Sequence, residues 1–252
     1  DTAIQPGIYV RKGDFLGLVG KEGASGGWSH LHFEIKCRQP GGGWGTLPSH
    51  ALIREAYMRE YHPDLLACAR QRHLIKAGET VTLDASHSWS AAGDIIAYEW
   101  RFTDGETASG VQVERTYPQP GKYEEILKIT DSAGKEDYDF ALVQVLDPEQ
   151  PERYTPSLHL AFAPSLNLKP GDAVTFSVRA FGFDGGEEHW DFGDGSPGIR
   201  TQSGQNKDPH APNGYTFLEH AYENAGEYIV TVHRENTKDI PAFAHLQVRV
   251  GP

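Results

Sequence analysis

An internal repeat constrains this 252-residue chain more than any single motif in it. "AGETVTL" at 77–83 matches "PGDAVTF" at 170–176, "YEWRFTDG" at 98–105 matches "EHWDFGDG" at 188–195, and "YPQPGKYEEILKI" from Tyr117 matches "YENAGEYIVTV" from Tyr222. The offset between the copies grows from 90 at Trp100 and Trp190 to 105 at Tyr117 and Tyr222. An insertion of about 15 residues therefore sits in the second copy, in the polar stretch after Gly195 and before "FLEHAY". Both copies read as short strands between turns. From about residue 73 the chain is thus two copies of one all-β unit, joined by the Pro- and acid-rich "DPEQPERYTP".

Side chains alternate faces along a strand, so Trp100 shares a face with Phe102, and Trp190 with Phe192. Each pair precedes an Asp-Gly step able to take positive φ, which predicts a buried aromatic strand feeding a tight hairpin. Turn chemistry accounts for Asp104 and Asp194 without a catalytic role.

The first 72 residues have a different character. "PGIYVRKGDFLGLVGKEGASGGWSHLHFEI" predicts strands at 8–11, 15–19 and 31–35, with a turn at Gly13 and Asp14 and a glycine loop at 23–27. Within "SHLHFEIK", His30 and His32 point one way while Leu31, Phe33 and Ile35 point the other. Two imidazoles side by side are half of a metal site or a pair of solvated rings. Ser49 caps a predicted helix in "HALIREAYMREY", with Leu52, Ile53, Ala56 and Tyr57 along one face. Pro63 suits the first turn of a second short helix through Leu65, Leu66 and Ala69. Cys37 and Cys68 are too far apart in sequence for a CxxC motif, which leaves a disulfide and two thiols both open.

The 28 Gly and 16 Pro fit many turns and little long helix. A net charge of -12 excludes a nucleic-acid or anionic-membrane surface, either of which needs clustered Lys and Arg. No apolar run approaches the roughly 20 residues of a membrane span. The sequence shows neither a signal peptide nor an initiating Met, as expected of a processed chain or a fragment.

Two resemblances follow from these residues. "LDASHS", "IIAYEWRFTDG", "YPQPGKYEEILKITDSAG", "HWDFGDG" and "HAYENAGEYIVTV" resemble PKD (polycystic kidney disease) domains, immunoglobulin-like β-sandwiches. The first copy has "FTDG" where the family has "FGDG", so its turn is expected to differ in detail. This resemblance implies spacing, adhesion or substrate docking and no chemistry. Trp89 in "SHSWS" is the candidate contact to sugar or peptide, against a plain role packing on the sandwich rim.

The second resemblance is carried by the order of a Gly-Asp strand, a glycine loop and "HLHFE". It is similar to the C-terminal part of lysostaphin-like (LytM-type) zinc endopeptidases. It implies that His32 is a zinc ligand and that His30 is catalytic, polarising the zinc-bound water or stabilising the oxyanion. A catalytic zinc takes about three protein ligands and keeps a position for water. The family supplies its other His and Asp ligands from an HxxxD motif earlier in the domain, and a further active-site His just before a segment like "DTAIQPGIYVRKGD". These are absent from the sequence, and His50, His62 and Asp64 do not match the ligand positions. The resemblance thus implies zinc in the complete enzyme, not held tightly by this chain, which alone is inactive. The strands left at 1–38 are expected to be completed by the helices at 50–72, by another molecule or by a missing N-terminal peptidase segment.

The expected organisation is mostly β. A partial peptidase sheet domain spans 1–38, a short helical connector 39–72, a first PKD sandwich 73–148, a linker 149–155 and a second PKD sandwich 156–252. The expected function is the C-terminal portion of a secreted, periplasmic or cell-surface zinc metalloendopeptidase hydrolysing peptidoglycan cross-links. Its expected partner is peptidoglycan or another cell-surface polymer. The alternative is a non-catalytic adhesion protein with a peptidase remnant. Calcium-stiffened spacers built on Asp84, Asp131 and Asp184 are a third reading, weakened by the lack of a DxDxDG loop.

Overall fold

The computed structural model describes residues 7–17, 34–38, 41–47, 50–69, 72–150, 155–205 and 214–252. Its contacts divide the chain into two units, one reaching His62 and the other beginning at Pro63.

In the first unit, β1 (Ile35–Arg38) pairs antiparallel with β2 (Trp44–Leu47), Arg38 opposite Trp44. The Arg38 guanidinium lies 5.1 Å over the Trp44 ring and donates to the Gly42 carbonyl at 2.7 Å, closing the hairpin. The expected turn at Gly13 and Asp14 forms, with the Arg11 N–H donating to Asp14 Oδ2 at 2.7 Å. Residues 8–11 and the described part of the expected strand 15–19 join no ladder among the described residues, and Tyr9 is 88% exposed, while the rest of that strand, the glycine loop at 23–27 and most of the strand expected at 31–35 lie outside the described residues. A strand exists only through its partner, and alternation alone does not supply one. Helix α1 (His50–Tyr61) ends where the His62 N–H reaches the Met58 carbonyl at 3.2 Å with φ 42°, a left-handed cap just before Pro63. Its predicted apolar face is exposed, Leu52 by 52% and Ile53 by 49%.

The second unit opens with a correction. The second helix expected from Pro63 is absent, and Leu65 and Leu66 form strand β3 (Leu65–Leu66) against β6 (Trp89–Ser90). The Ala67 and Ala69 N–H groups donate to Asp137 and Asp139, each at 2.8 Å. Backbone donors that a helix uses internally are taken here by carboxylates about 70 residues away, and both alanines are buried. The tail of the expected helical connector therefore packs into the first sandwich.

That sandwich contains β4 (Arg72–Lys76), β5 (Thr80–Asp84), β7 (Ile95–Arg101), β8 (Thr107–Ser109), β9 (Gln112–Thr116), β10 (Gly121–Asp131) and β11 (Glu136–Leu146). One layer runs β8-β7-β10-β11-β4, and the pairs β5-β9 and β3-β6 lie opposite. Leu83, Trp100, Tyr117, Leu127, Ile129 and Val143 fill the space between. The second sandwich contains β12 (Ser157–Ala163), β13 (Ala173–Phe181), β14 (Glu188–Asp191), β15 (Ile199–Thr201), β16 (Thr216–Ala221), β17 (Gly226–Glu235) and β18 (Pro241–Val250). Its layers are β12-β13-β16 and β15-β14-β17-β18, enclosing Phe176, Trp190, Phe192, Tyr222, Val230 and Val232. The chain is thus mostly β, with two sandwiches of the immunoglobulin type. The inserted stretch falls between β15 and β16, at 202–215, where the first copy has only Gly110 and Val111 between β8 and β9.

The sandwiches meet through the outer faces of their larger sheets. Lys122 of β10 bridges Ala242 of β18 in parallel, the His245 N–H donates to Glu124 at 2.5 Å, and the Phe140 ring stacks on His245 at 5.4 Å. Arg249 reaches Asp137 at 2.5 Å. Ile126 and Phe140, both on the outer face, are only 6% and 4% exposed.

Candidate functional sites

The Asp-Gly turns resolve into matched clamps. In the first copy the Glu106 N–H donates to Asp104 Oδ1 at 3.1 Å, and Arg115 on β9 lies 4.2 Å over the Phe102 ring while pairing with Asp104 and Glu106. In the second, the Ser196 N–H donates to Asp194 Oδ1 at 3.0 Å, and His220 on β16 stacks on Phe192 at 4.0 Å with its Nε2 2.7 Å from Asp194. A cation-capable side chain two residues before the core tyrosine thus covers the aromatic ring and holds the turn aspartate in both. Partial burial pushes the Asp194 carboxyl up, but hydrogen bonds from Ser196 and His220 outweigh it and hold the group below its ordinary range.

The expected difference at the turn is real. Gly193 has φ 76°, and a Cβ there would lie 2.6 Å from the Ile229 carbonyl oxygen, so no other residue fits. At Thr103 the N–H instead donates to Glu125 Oε2 at 2.8 Å. Glu125 is fully buried, accepts the Tyr117 hydroxyl at 2.9 Å, and is pushed up to about 7 by desolvation. The second copy places Val230 at this position, and its Tyr222 hydroxyl donates to the Phe192 carbonyl at 3.4 Å.

The second sandwich buries its carboxylate elsewhere. Glu188 is fully buried and meets Arg234 at 2.5 Å. Thr201 Oγ1 and Ser203 Oγ donate to Glu188 at 2.7 and 2.8 Å, and Arg234 donates to the carbonyls of Gly185 and Ser203. Ser203 belongs to the inserted stretch, so that stretch supplies part of the core.

A cleft runs between the two facing sheets. One part, about 630 Å³, is lined by Glu99, Arg101, Lys128, Tyr138, Asp191 and Glu227 among others. A neighbouring part of about 350 Å³ is lined by Thr103, His189, His233, Phe243 and His245 among others. His189 and His233 are directly opposed on β14 and β17, their rings 4.8 Å apart and 27° from parallel. Burial and the neighbouring His189 push the His233 imidazole down. The sequence reading missed this pair, because its signal is the pairing of two strands far apart in sequence.

His30 and His32 lie outside the described residues. Trp89, read as a loop residue, sits on the short strand β6 opposite Leu66 and is 36% exposed. His62 caps helix α1, and Asp64 pairs with Lys135. Asp84 and Asp131 accept turn hydrogen bonds from the N–H groups of Ser86 and Ala133, and Asp184 accepts from the Thr237 N–H, 53 positions away. Among the described residues, no group of three or more His, Cys, Asp or Glu side chains is gathered to hold a metal. No helix among them is long and apolar enough to cross a membrane.

The fold and its clamped turns define a tandem of immunoglobulin-like modules. Residues 64–145 match the PKD domain family and residues 158–239 match it again, so the chain carries two PKD domains. A 56-residue stretch is 38% identical to collagenase ColA of Clostridium perfringens (strain 13 / Type A). It covers 22% of this chain and 5% of that protein, and lies in a PKD region. Among solved structures, the PKD domain of an M14-like peptidase from Thermoplasmatales archaeon SCGC AB-540-F20 is 16% identical, with a TM-score of 0.31, over 38% of this chain and 96% of that one. The fibronectin(III)-like modules of Clostridium thermocellum CbhA are 14% identical, with a TM-score of 0.26, over 74% of this chain and 94% of that one.

Proposed function

We propose that this chain is part of an extracellular zinc metalloendopeptidase that hydrolyses peptide cross-links of peptidoglycan, its two PKD domains docking or spacing the catalytic part. His32 is the zinc ligand in this reading and His30 the catalytic histidine beside it. The observation that carries it is the order of the Gly-Asp step, the glycine loop and "SHLHFEIK" ahead of two PKD domains in one chain. PKD domains are typical of extracellular proteins, and a collagenase carries a stretch similar to part of this one. When bound, zinc supplies a polarised water for attack on the peptide carbonyl.

The test compares the chain alone with the chain joined to the sequence encoded upstream of Asp1. The joined form is expected to bind one zinc and cleave peptidoglycan, His32→Ala to lose the metal, and His30→Ala to keep metal and lose turnover. Full activity in His32→Ala overturns the reading. A second reading, non-catalytic adhesion to a cell-surface polymer with Trp89 as a contact, is favoured by one observation: PKD domains make up most of the larger compact unit. Polymer binding that is lost in Trp89→Ala, with no cleavage by the joined form, selects it.

A further inference from the structure

We propose that His189 and His233 form an exchangeable site for a divalent transition-metal ion on the second PKD domain. The site is separate from the peptidase reading, since it uses neither His30 nor His32.

The geometry starts from the register. His189 and His233 are a directly opposed cross-strand pair, a relationship that sets Cβ atoms about 5 Å apart on one face. The rings stand stacked, 27° from parallel, so a turn about their side-chain torsions brings one nitrogen of each to a shared ion at about 2.0–2.1 Å. Among the described residues, neither ring hydrogen-bonds to a protein group; their contacts are with each other and, for His233, with Phe243 at 5.6 Å. Two polar rings thus share a half-buried position with their nitrogens unused.

The surroundings supply charge and room. On the far side of the pair a concavity of about 430 Å³ is lined by His189, His233, Glu187 and Glu235. Glu187 and Glu235 each stand two residues from a histidine along the chain, and Arg200 lies 3.7 Å from Glu187. Arg200 also faces His189 across the β14-β15 pair and is balanced by Glu187, which leaves Glu235 as the carboxylate in the concavity with no cation paired to it among the described residues. Two imidazoles without a third gathered ligand select Cu²⁺, Ni²⁺ or Zn²⁺ over Ca²⁺ and Mg²⁺, with water completing the shell.

The test uses the full 252-residue chain carrying His30→Ala and His32→Ala, so that the other histidine pair contributes nothing. CuSO₄ or NiCl₂ is titrated and followed by calorimetry, with CaCl₂ as control. Saturable one-to-one binding is expected, with two nitrogen ligands in the Cu²⁺ electron paramagnetic resonance spectrum. His189→Asn or His233→Asn should abolish it, provided each variant melts cooperatively. Should a variant fail to fold, diethylpyrocarbonate labelling of the histidine pair's parent chain decides: Ni²⁺ should protect His189 and His233 together while leaving His87 reactive. Binding unchanged in the folded variants, equal binding of calcium, or labelling of both rings regardless of metal overturns the proposal.

Discussion

The two PKD domains place the same aromatic residues in the same positions and bury their carboxylates in opposite ways. In the first, Glu125 faces the core beneath the turn with a hydroxyl and a backbone N–H as partners. In the second, that position is Val230, and the buried acid is Glu188, paired with Arg234 and cradled by Thr201 and Ser203. The first arrangement leaves a carboxyl that titrates near neutrality; the second couples acid and base into one network. A shared fold therefore fixes where the aromatic core lies while leaving each copy to satisfy its polar groups locally.

The sharpest way to break this comparison is to remove one partner of the buried pair. Glu188→Ala strands Arg234 in the core and is expected to cost roughly 3–5 kcal/mol, read by denaturant unfolding. The next effect belongs to Glu125. Its folded value of about 7 lies above the ordinary 4.5, so the folded domain binds the proton more tightly than the unfolded chain. The penalty is absent below about pH 4.5 and complete above about pH 7, so stability falls by roughly 3 kcal/mol across that window. Glu125→Gln should flatten the slope.

A smaller contrast lies at the turns. Gly193→Thr must force a Cβ against the Ile229 carbonyl and is expected to cost roughly 1–3 kcal/mol, whereas Thr103→Gly costs about 1 kcal/mol or less. Comparable losses at both sites would dissolve the distinction. The smallest effect is that of the clamp. Because the Asp194 carboxyl is held low, its contribution is present above its ordinary range and lost as pH falls through the depressed value. Asp194→Asn should remove about 1 kcal/mol or less at pH 7, checked by thermal melting.

Much of this was legible in the amino-acid order. The offsets of 90 and 105 aligned Trp100 with Trp190 and Tyr117 with Tyr222, and all four are buried. They also set Glu125 opposite Val230 and Thr103 opposite Gly193, the seeds of the contrast above. Non-local pairing was not legible. Residues 63–69 look helical by composition, yet Asp137 and Asp139 capture their N–H groups from across the sandwich. His189 and His233 are 44 positions apart, from 189 to 233, and only the β14-β17 register makes them neighbours. For His30 and His32 the reading rests on sequence order, since both fall outside the described residues.

The most direct measurement is hydrogen exchange of the intact chain, corrected for intrinsic rates and resolved to peptides covering Gly121–Asp131. Between pH 5 and 7.5 the opening free energy of that strand should fall in the natural sequence and stay level in Glu125→Gln. An identical fall in both would contradict a lone carboxyl buried beneath the first turn.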